Sequence, residues 1–139
     1  MRILGIDFGK RRVGLAISDK SRTIAMPLET ILVSGIDDLM KKLSEIVDKH
    51  GISEIVIGNP ILPETGEKSA ISLEIESLKE RIESELNLPV HLQLEWFSSV
   101  ESEKILKKLG AKNLKRKCLV DKLSAAIILQ SYLEKYDKA

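Results

Sequence analysis

The sequence predicts a mixed α/β fold: a five-stranded sheet whose first three strands run antiparallel, flanked by helices. Three observations predict it. Apolar runs of β type crowd the start of the chain, at Ile3-Leu4-Gly5-Ile6-Asp7-Phe8 and Arg12-Val13-Gly14-Leu15-Ala16-Ile17-Ser18. After Gly35 the hydrophobic spacing lengthens to the helical repeat. Beyond that point helical and strand-like segments alternate, as they do where a sheet is extended by parallel crossovers.

Ile3 to Phe8 and Arg12 to Ser18 read as the first two strands, joined by a tight turn at Gly9-Lys10-Arg11. Leu28 to Val33 is the third, with Met26-Pro27 marking its start. Ile36, Leu39, Met40, Leu43, Ile46 and Val47 then recur at helical spacing, and Gly51 supplies a stop. Glu54 to Gly58 is a short buried strand and Asn59 to Gly66 a loop. A second helix follows from Glu67 to Leu86, its apolar stripe carried by Ile71, Leu73, Ile75, Leu78 and Ile82. Pro89 to Leu94 is a fifth strand, and Val100 to Leu109 a helix behind the hydroxyls of Ser98 and Ser99. A basic loop leads to a last helix from Val120 to Tyr136. This order matches the ribonuclease H-like arrangement, with the first strand central and Asp7 at the rim of the sheet.

At 139 residues the chain is long enough for a single domain, 1–139, with one well-covered core. A hydrophobic content of 43% fits a globular protein, and a net charge of +1 leaves any nucleic-acid reading to local clusters. One cysteine, Cys118, can form neither an internal disulfide nor a thiolate zinc cluster. The chain enters a strand within two residues of its start and has no membrane-length apolar run. A cytoplasmic protein without membrane contact is expected.

Asp7 is the residue that needs an explanation, because strands are depleted in aspartate and a buried unpaired carboxylate is costly. A bound cation is one explanation; a side chain capping the turn is the other. Glu95, directly after Val90-His91-Leu92-Gln93-Leu94, is a second acid that could share a metal, or an exposed glutamate at a strand end. Asp121 is a third, or simply an acid favoured by the macrodipole in a helical first turn. The small face Ser124-Ala125-Ala126 would let that helix approach the sheet and carry Asp121 towards Asp7. Hard oxygen donors of this kind suit a pair of Mg²⁺ or Mn²⁺ ions and metal-assisted phosphodiester hydrolysis.

Basic residues gather nearby. Lys112, Lys115, Arg116 and Lys117 precede Asp121, while Lys10, Arg11 and Arg12 flank Asp7. Both clusters are candidates for phosphate contact, although charge runs are often only solvated faces and Arg12 could equally pair with an acid. His50 and His91 have no partner at ligand spacing and read as structural or surface residues.

At these residues the chain resembles the bacterial YqgF family of ribonuclease H-like proteins, described as pre-16S ribosomal RNA nucleases or Holliday-junction-resolvase-like proteins. The resemblance covers essentially the whole chain. Asp7, Gly9, Arg12, Gly14 and Ala16 match the family's Asp-x-Gly-x-x-Arg-x-Gly-x-Ala pattern. Gly58-Asn59-Pro60 corresponds to its Gly-Leu-Pro turn, and Asp121 with Ala125-Ala126 to its Asp-x-x-x-Ala-Ala helix. The resemblance implies a catalytic, metal-binding triad of Asp7, Glu95 and Asp121. It further implies hydrolysis of structured RNA, with pre-16S RNA or branched DNA as the partner, by a monomer or weak homodimer. The chain departs from the pattern where the family carries Asp-Glu-Arg: it reads Leu94-Glu95-Trp96. An arginine suited to phosphate is lost there, and Trp96 could stack on a base or fill core space.

Two other classes fit parts of the sequence. Actin-like ATPases and sugar kinases also place Asp-x-Gly after a first strand, but they need two such domains around a nucleotide. A non-catalytic RNA-binding module of the same fold would bind RNA without cutting it.

Overall fold

The computed structural model describes residues 2–60, 70–95 and 114–137, with backbone alone at 60, 70, 71, 94, 95, 114–116, 136 and 137. Its elements are β1 (Arg2–Asp7), β2 (Arg12–Ser18), β3 (Ala25–Leu32), α1 (Ile36–His50), β4 (Ile52–Pro60), α2 (Ala70–Leu86), β5 (Val90–Glu95) and α3 (Leu114–Asp137). The sheet has five strands in the order β3-β2-β1-β4-β5. β1, β2 and β3 pair antiparallel, and β4 and β5 extend the sheet in parallel. This is the predicted mixed sheet with β1 at its centre. The helix expected over 100–109 lies outside the described residues.

The two faces of the sheet are covered differently. On one, Leu4, Ile6, Leu15, Ile55 and Ile57 pack against α1 and α2 through Leu39, Leu43, Ile75, Leu78 and Ile82. On the other, Ile3, Ala16 and Val56 meet Ala125, Ile128, Leu129 and Leu133 of α3. Alternation along β1 therefore puts Ile3, Gly5 and Asp7 on the α3 side and Leu4, Ile6 and Phe8 on the other. α1 ends at Gly51 as expected: its φ of 65° is left-handed, and its N–H donates to the Val47 carbonyl.

The structure departs from expectation in β3, β4, α2 and α3. β3 begins at Ala25 and contains Pro27, which is tolerated because β3 is an edge strand with a register shift opposite it. β4 runs on to Pro60, so Asn59 is a buried strand residue rather than part of a loop. Its Oδ1 accepts a hydrogen bond from Ser72 Oγ at 2.7 Å. Ser72 is accordingly buried on α2, while Leu73, expected in the apolar stripe, is 57% exposed. α3 starts at Leu114, so Lys115, Arg116 and Lys117 open a helix instead of forming a loop. The ends of β1 and β5 shift by a single residue.

Candidate functional site

The carboxyl end of β1 is where the sequence placed its one anomalous acid, and the packing of α3 gives that acid a neighbour. Asp7 is paired across the sheet with Gly14 of β2. A Cβ built on Gly14 would lie 2.1 Å from the Asp121 carbonyl oxygen, so only glycine lets the helix backbone rest there. Ser124 and Ala125 are buried on the same helix, and the Ala125 carbonyl lies against Gly5 of β1. The small face of α3 therefore does what its composition suggested, and Asp121 arrives beside Asp7. Both carboxylates line a cavity of about 320 Å³ together with Gly9, Lys10, Arg11 and Arg12. Gly9 closes the hairpin at the mouth, where a Cβ would be 2.3 Å from the Arg12 carbonyl oxygen.

Arg12 is the link between hairpin and helix. Its Nε donates to Asp121 Oδ2 at 2.8 Å, with the two side chains 35% and 20% exposed. Of the two roles open to Arg12, pairing with an acid is the one the structure contains. Asp121 itself sits about two turns inside α3. A first-turn macrodipole role is therefore excluded, because that effect fades within the first turn. Thr30 was not singled out from the sequence: its Oγ1 donates to the Cys118 carbonyl, and it is the strand partner of Gly14. One rung of the sheet, Thr30-Gly14-Asp7, thus receives the helix. At the far end of β3, Gln130 accepts from Ala25 N–H at 2.9 Å and donates to the Thr23 carbonyl at 3.2 Å.

The remaining expected site residues are distributed as follows. Glu95 closes β5 in register with Pro60, at the same carboxyl edge as Asp7 and across β4 from it. Its side chain lies outside the described set, as do those of Lys112, Lys115 and Arg116. Lys117 is half-buried on α3. Arg11 is exposed, and its carbonyl accepts from Val33 N–H at 2.9 Å. Lys10 is also exposed and faces Glu74 of α2 at 3.9 Å. Among the described residues, no three His, Cys, Asp or Glu side chains gather to hold a metal. Asp7 and Asp121 nevertheless offer two hard oxygen donors to one cavity, a donor set that fits Mg²⁺ or Mn²⁺ rather than a soft metal.

The histidines stay away from this cavity. His91 stacks on Tyr132 with ring centroids 5.4 Å apart and faces Glu54 at 3.5 Å, a structural role as expected. Shifted acids also lie elsewhere. The Ser21 hydroxyl and the Thr23 and Ile24 N–H groups hold the Asp19 carboxyl below its usual range. The Ser34 N–H and then Lys42 do the same for Asp38.

A family model described as "RuvX: Holliday junction resolvase" matches residues 1–135. The chain belongs to this RuvX family. RuvX relatives at similar length include a "Putative pre-16S rRNA nuclease" of Dictyoglomus turgidum, 38% identical over 134 residues, covering 96% of this chain and 94% of that one. Another of the same description, from Mycoplasma mobile, is 39% identical over 138 residues, covering 98% and 94%. Among solved structures, the fold is shared with Thermus thermophilus RuvC in complex with a Holliday junction substrate. That match has a TM-score of 0.59, 16% identity, and covers 98% of this chain and 96% of that one. The fowlpox virus Holliday junction resolvase matches with a TM-score of 0.57 and 12% identity, covering 98% and 99%. The RuvX membership and these resolvase folds bear out the ribonuclease H-like architecture expected from the element order. Among the described residues, no helix is long and apolar enough to cross a membrane.

Proposed function

We propose that this chain is a nuclease that hydrolyses phosphodiester bonds in a structured RNA, pre-16S ribosomal RNA being the substrate named for its relatives. We place its action in the cytoplasm, by one domain spanning 1–139 that is monomeric or weakly dimeric. The observation that carries the reading is the convergence of Asp7 and Asp121 on one cavity lined also by Gly9, Lys10, Arg11 and Arg12. Carboxylates in a basic, open pocket at the carboxyl edge of an α/β sheet suit a polyanionic substrate.

Asp7, Asp121 and Glu95 are the residues we assign to hold one or two Mg²⁺ or Mn²⁺ ions. When bound, such ions supply Lewis-acid stabilisation of the charge that develops on the phosphoryl oxygens. Arg12 fixes the Asp121 carboxylate through its Nε and so orients a ligand before the substrate arrives. Arg11 and Lys10 are exposed at the rim, where phosphates of the same strand would pass. We assign the same role to Lys112, Lys115, Arg116 and Lys117, which precede Asp121 in the sequence. A water oxygen attacks phosphorus, the bond to the 3′ oxygen breaks, and the products carry a 5′-phosphate and a 3′-hydroxyl. No side chain becomes a covalent nucleophile.

Asp7→Asn tests the assignment. Loss of several kcal/mol of transition-state stabilisation predicts a fall of about 100-fold or more in hydrolysis of structured RNA. Turnover at the wild-type rate would overturn it. The RuvX family description favours a second substrate, a four-way DNA junction, and the same assay run on junction DNA decides between them. Binding of RNA with no cleavage under either metal would instead support a non-catalytic module, the reading motivated by Leu94 and Trp96.

A further inference from the structure

On the opposite side of the β1–β2 turn lies a second cavity, of about 340 Å³. Its volume is at the lower end of small-molecule sites. Phe8, Ile36 and Leu39 line its apolar floor, and Lys10 and Glu74 stand at its rim. Ile36 is 39% exposed there, a large aliphatic side chain left open at the first position of α1. The two cavities share Phe8, Gly9 and Lys10, so the end of β1 is a ridge with one on each side. Asp7 and Phe8 are successive residues and point to opposite faces, Asp7 to the carboxylate cavity and Phe8 to the apolar one.

From this geometry we infer that the apolar cavity receives an unpaired nucleobase of the same strand whose phosphate lies in the Asp7–Asp121 cavity. The inference rests on the nuclease reading. A nucleotide is a phosphate joined to a flat, largely apolar ring with a polar edge, and the ridge separates a site for each part. Phe8 and the aliphatic floor suit the ring, since base stacking on aromatic side chains tolerates any base. Lys10 and Glu74 place a donor and an acceptor 3.9 Å apart, suited to a base edge that carries both kinds of group. The apolar composition of the floor is wrong for a phosphate and the rim is wrong for a lipid. The strand would therefore cross the sheet edge with at least one base out of its stack, and the enzyme would require a single-stranded or opened nucleotide beside the scissile bond.

Binding of a labelled RNA hairpin with a single-stranded extension, measured by anisotropy in EDTA, tests this without cleavage. Abasic units are introduced one position at a time, and the series is repeated on Ile36→Asp and Glu74→Gln. Wild type should lose about tenfold in affinity at one position and little elsewhere. Ile36→Asp should lose a similar factor on intact RNA and nothing more on the RNA abasic at that position. Glu74→Gln should show the same pattern with a smaller loss. A flat abasic scan with intact RNA still bound overturns the base pocket alone, as does an Ile36→Asp variant that weakens intact and abasic RNA equally. Failure of the intact RNA to bind at all overturns the pocket, while the nuclease reading is decided separately by the Asp7→Asn hydrolysis assay.

Discussion

The two faces of the sheet solve different problems. The face under α1 and α2 is built from large side chains, with Leu4, Ile6, Leu15, Ile55 and Ile57 against Leu39, Leu43, Leu78 and Ile82, all fully buried. The face under α3 is built at its carboxyl end from what is missing: Gly14 beneath the Asp121 carbonyl, Gly5 beneath Ala125 and Leu129, and Ala16 beside them. Large side chains hold helices away from a sheet at a distance set by packing density. Small ones bring backbone to backbone and, with it, any polar side chain the helix carries. The first face is where stability is concentrated, and the second is where two carboxylates are brought together.

That difference can be broken on either side. Leu43→Ala, at the centre of the large face, should cost about 2–5 kcal/mol of stability through lost burial and a residual cavity. Activity per folded molecule should be unchanged, as read from denaturant melts alongside single-turnover hydrolysis. Gly14→Ala, on the small face, should cost about 1–3 kcal/mol, because its Cβ meets backbone that can yield only by moving α3. Hydrolysis should fall well beyond what that loss of folded protein explains. A Gly14→Ala protein with both wild-type melting and wild-type turnover would show that the close approach does not matter.

The same division governs what the sequence made legible. Leu39, Leu43, Leu78 and Ile82 announce themselves by helical spacing, since burying a stripe is a local pattern. Asp7 stood out because a carboxylate violates the strand around it, and Ser124-Ala125-Ala126 because a small face implies close packing. The partner of Arg12 was not legible, because the hydrogen bond to Asp121 joins residues far apart in the chain. Thr30 was invisible for the same reason, being an ordinary strand residue until the helix is laid over it. The start of α3 was missed because Lys115, Arg116 and Lys117 carry no apolar period, although lysine and arginine are good helix formers. Asn59 looked like loop because its burial depends on a hydroxyl from another element, Ser72.

Arg12→Gln sharpens the comparison by leaving the packing of both faces intact. A half-exposed ion pair contributes no more than about 1 kcal/mol, so melting should shift little. Residues that orient a ligand from behind, however, typically change metal affinity or activity by about 10–100-fold. Hydrolysis should drop by such a factor, and titration of Mn²⁺ should show whether the loss lies in metal binding. A variant that melts earlier yet cuts at the wild-type rate would make Arg12 a stabilising contact alone.

The smallest expected effect lies at the far anchor of α3, where Gln130 grips Thr23 and Ala25. The turn that presents these groups is held by Asp19, whose carboxylate accepts from the Ser21 hydroxyl and from the Thr23 and Ile24 N–H groups. These bonds favour the charged form, so the folded-state pKa lies below the ordinary value of 3.8. The sign of the linkage follows: the stabilisation is present above that ordinary value and is lost as pH falls through the lower folded one. Melting temperatures of wild type and Asp19→Asn should therefore differ by a constant small amount near neutrality and converge only in acid, below the usual carboxylate range. Because the anchor lies about two and a half turns along the helix from Asp121, hydrolysis at neutral pH should be unaffected by the substitution. Loss of hydrolysis in Asp19→Asn would mean that α3 moves as a rigid body, and that its position over Gly14 is set from both ends.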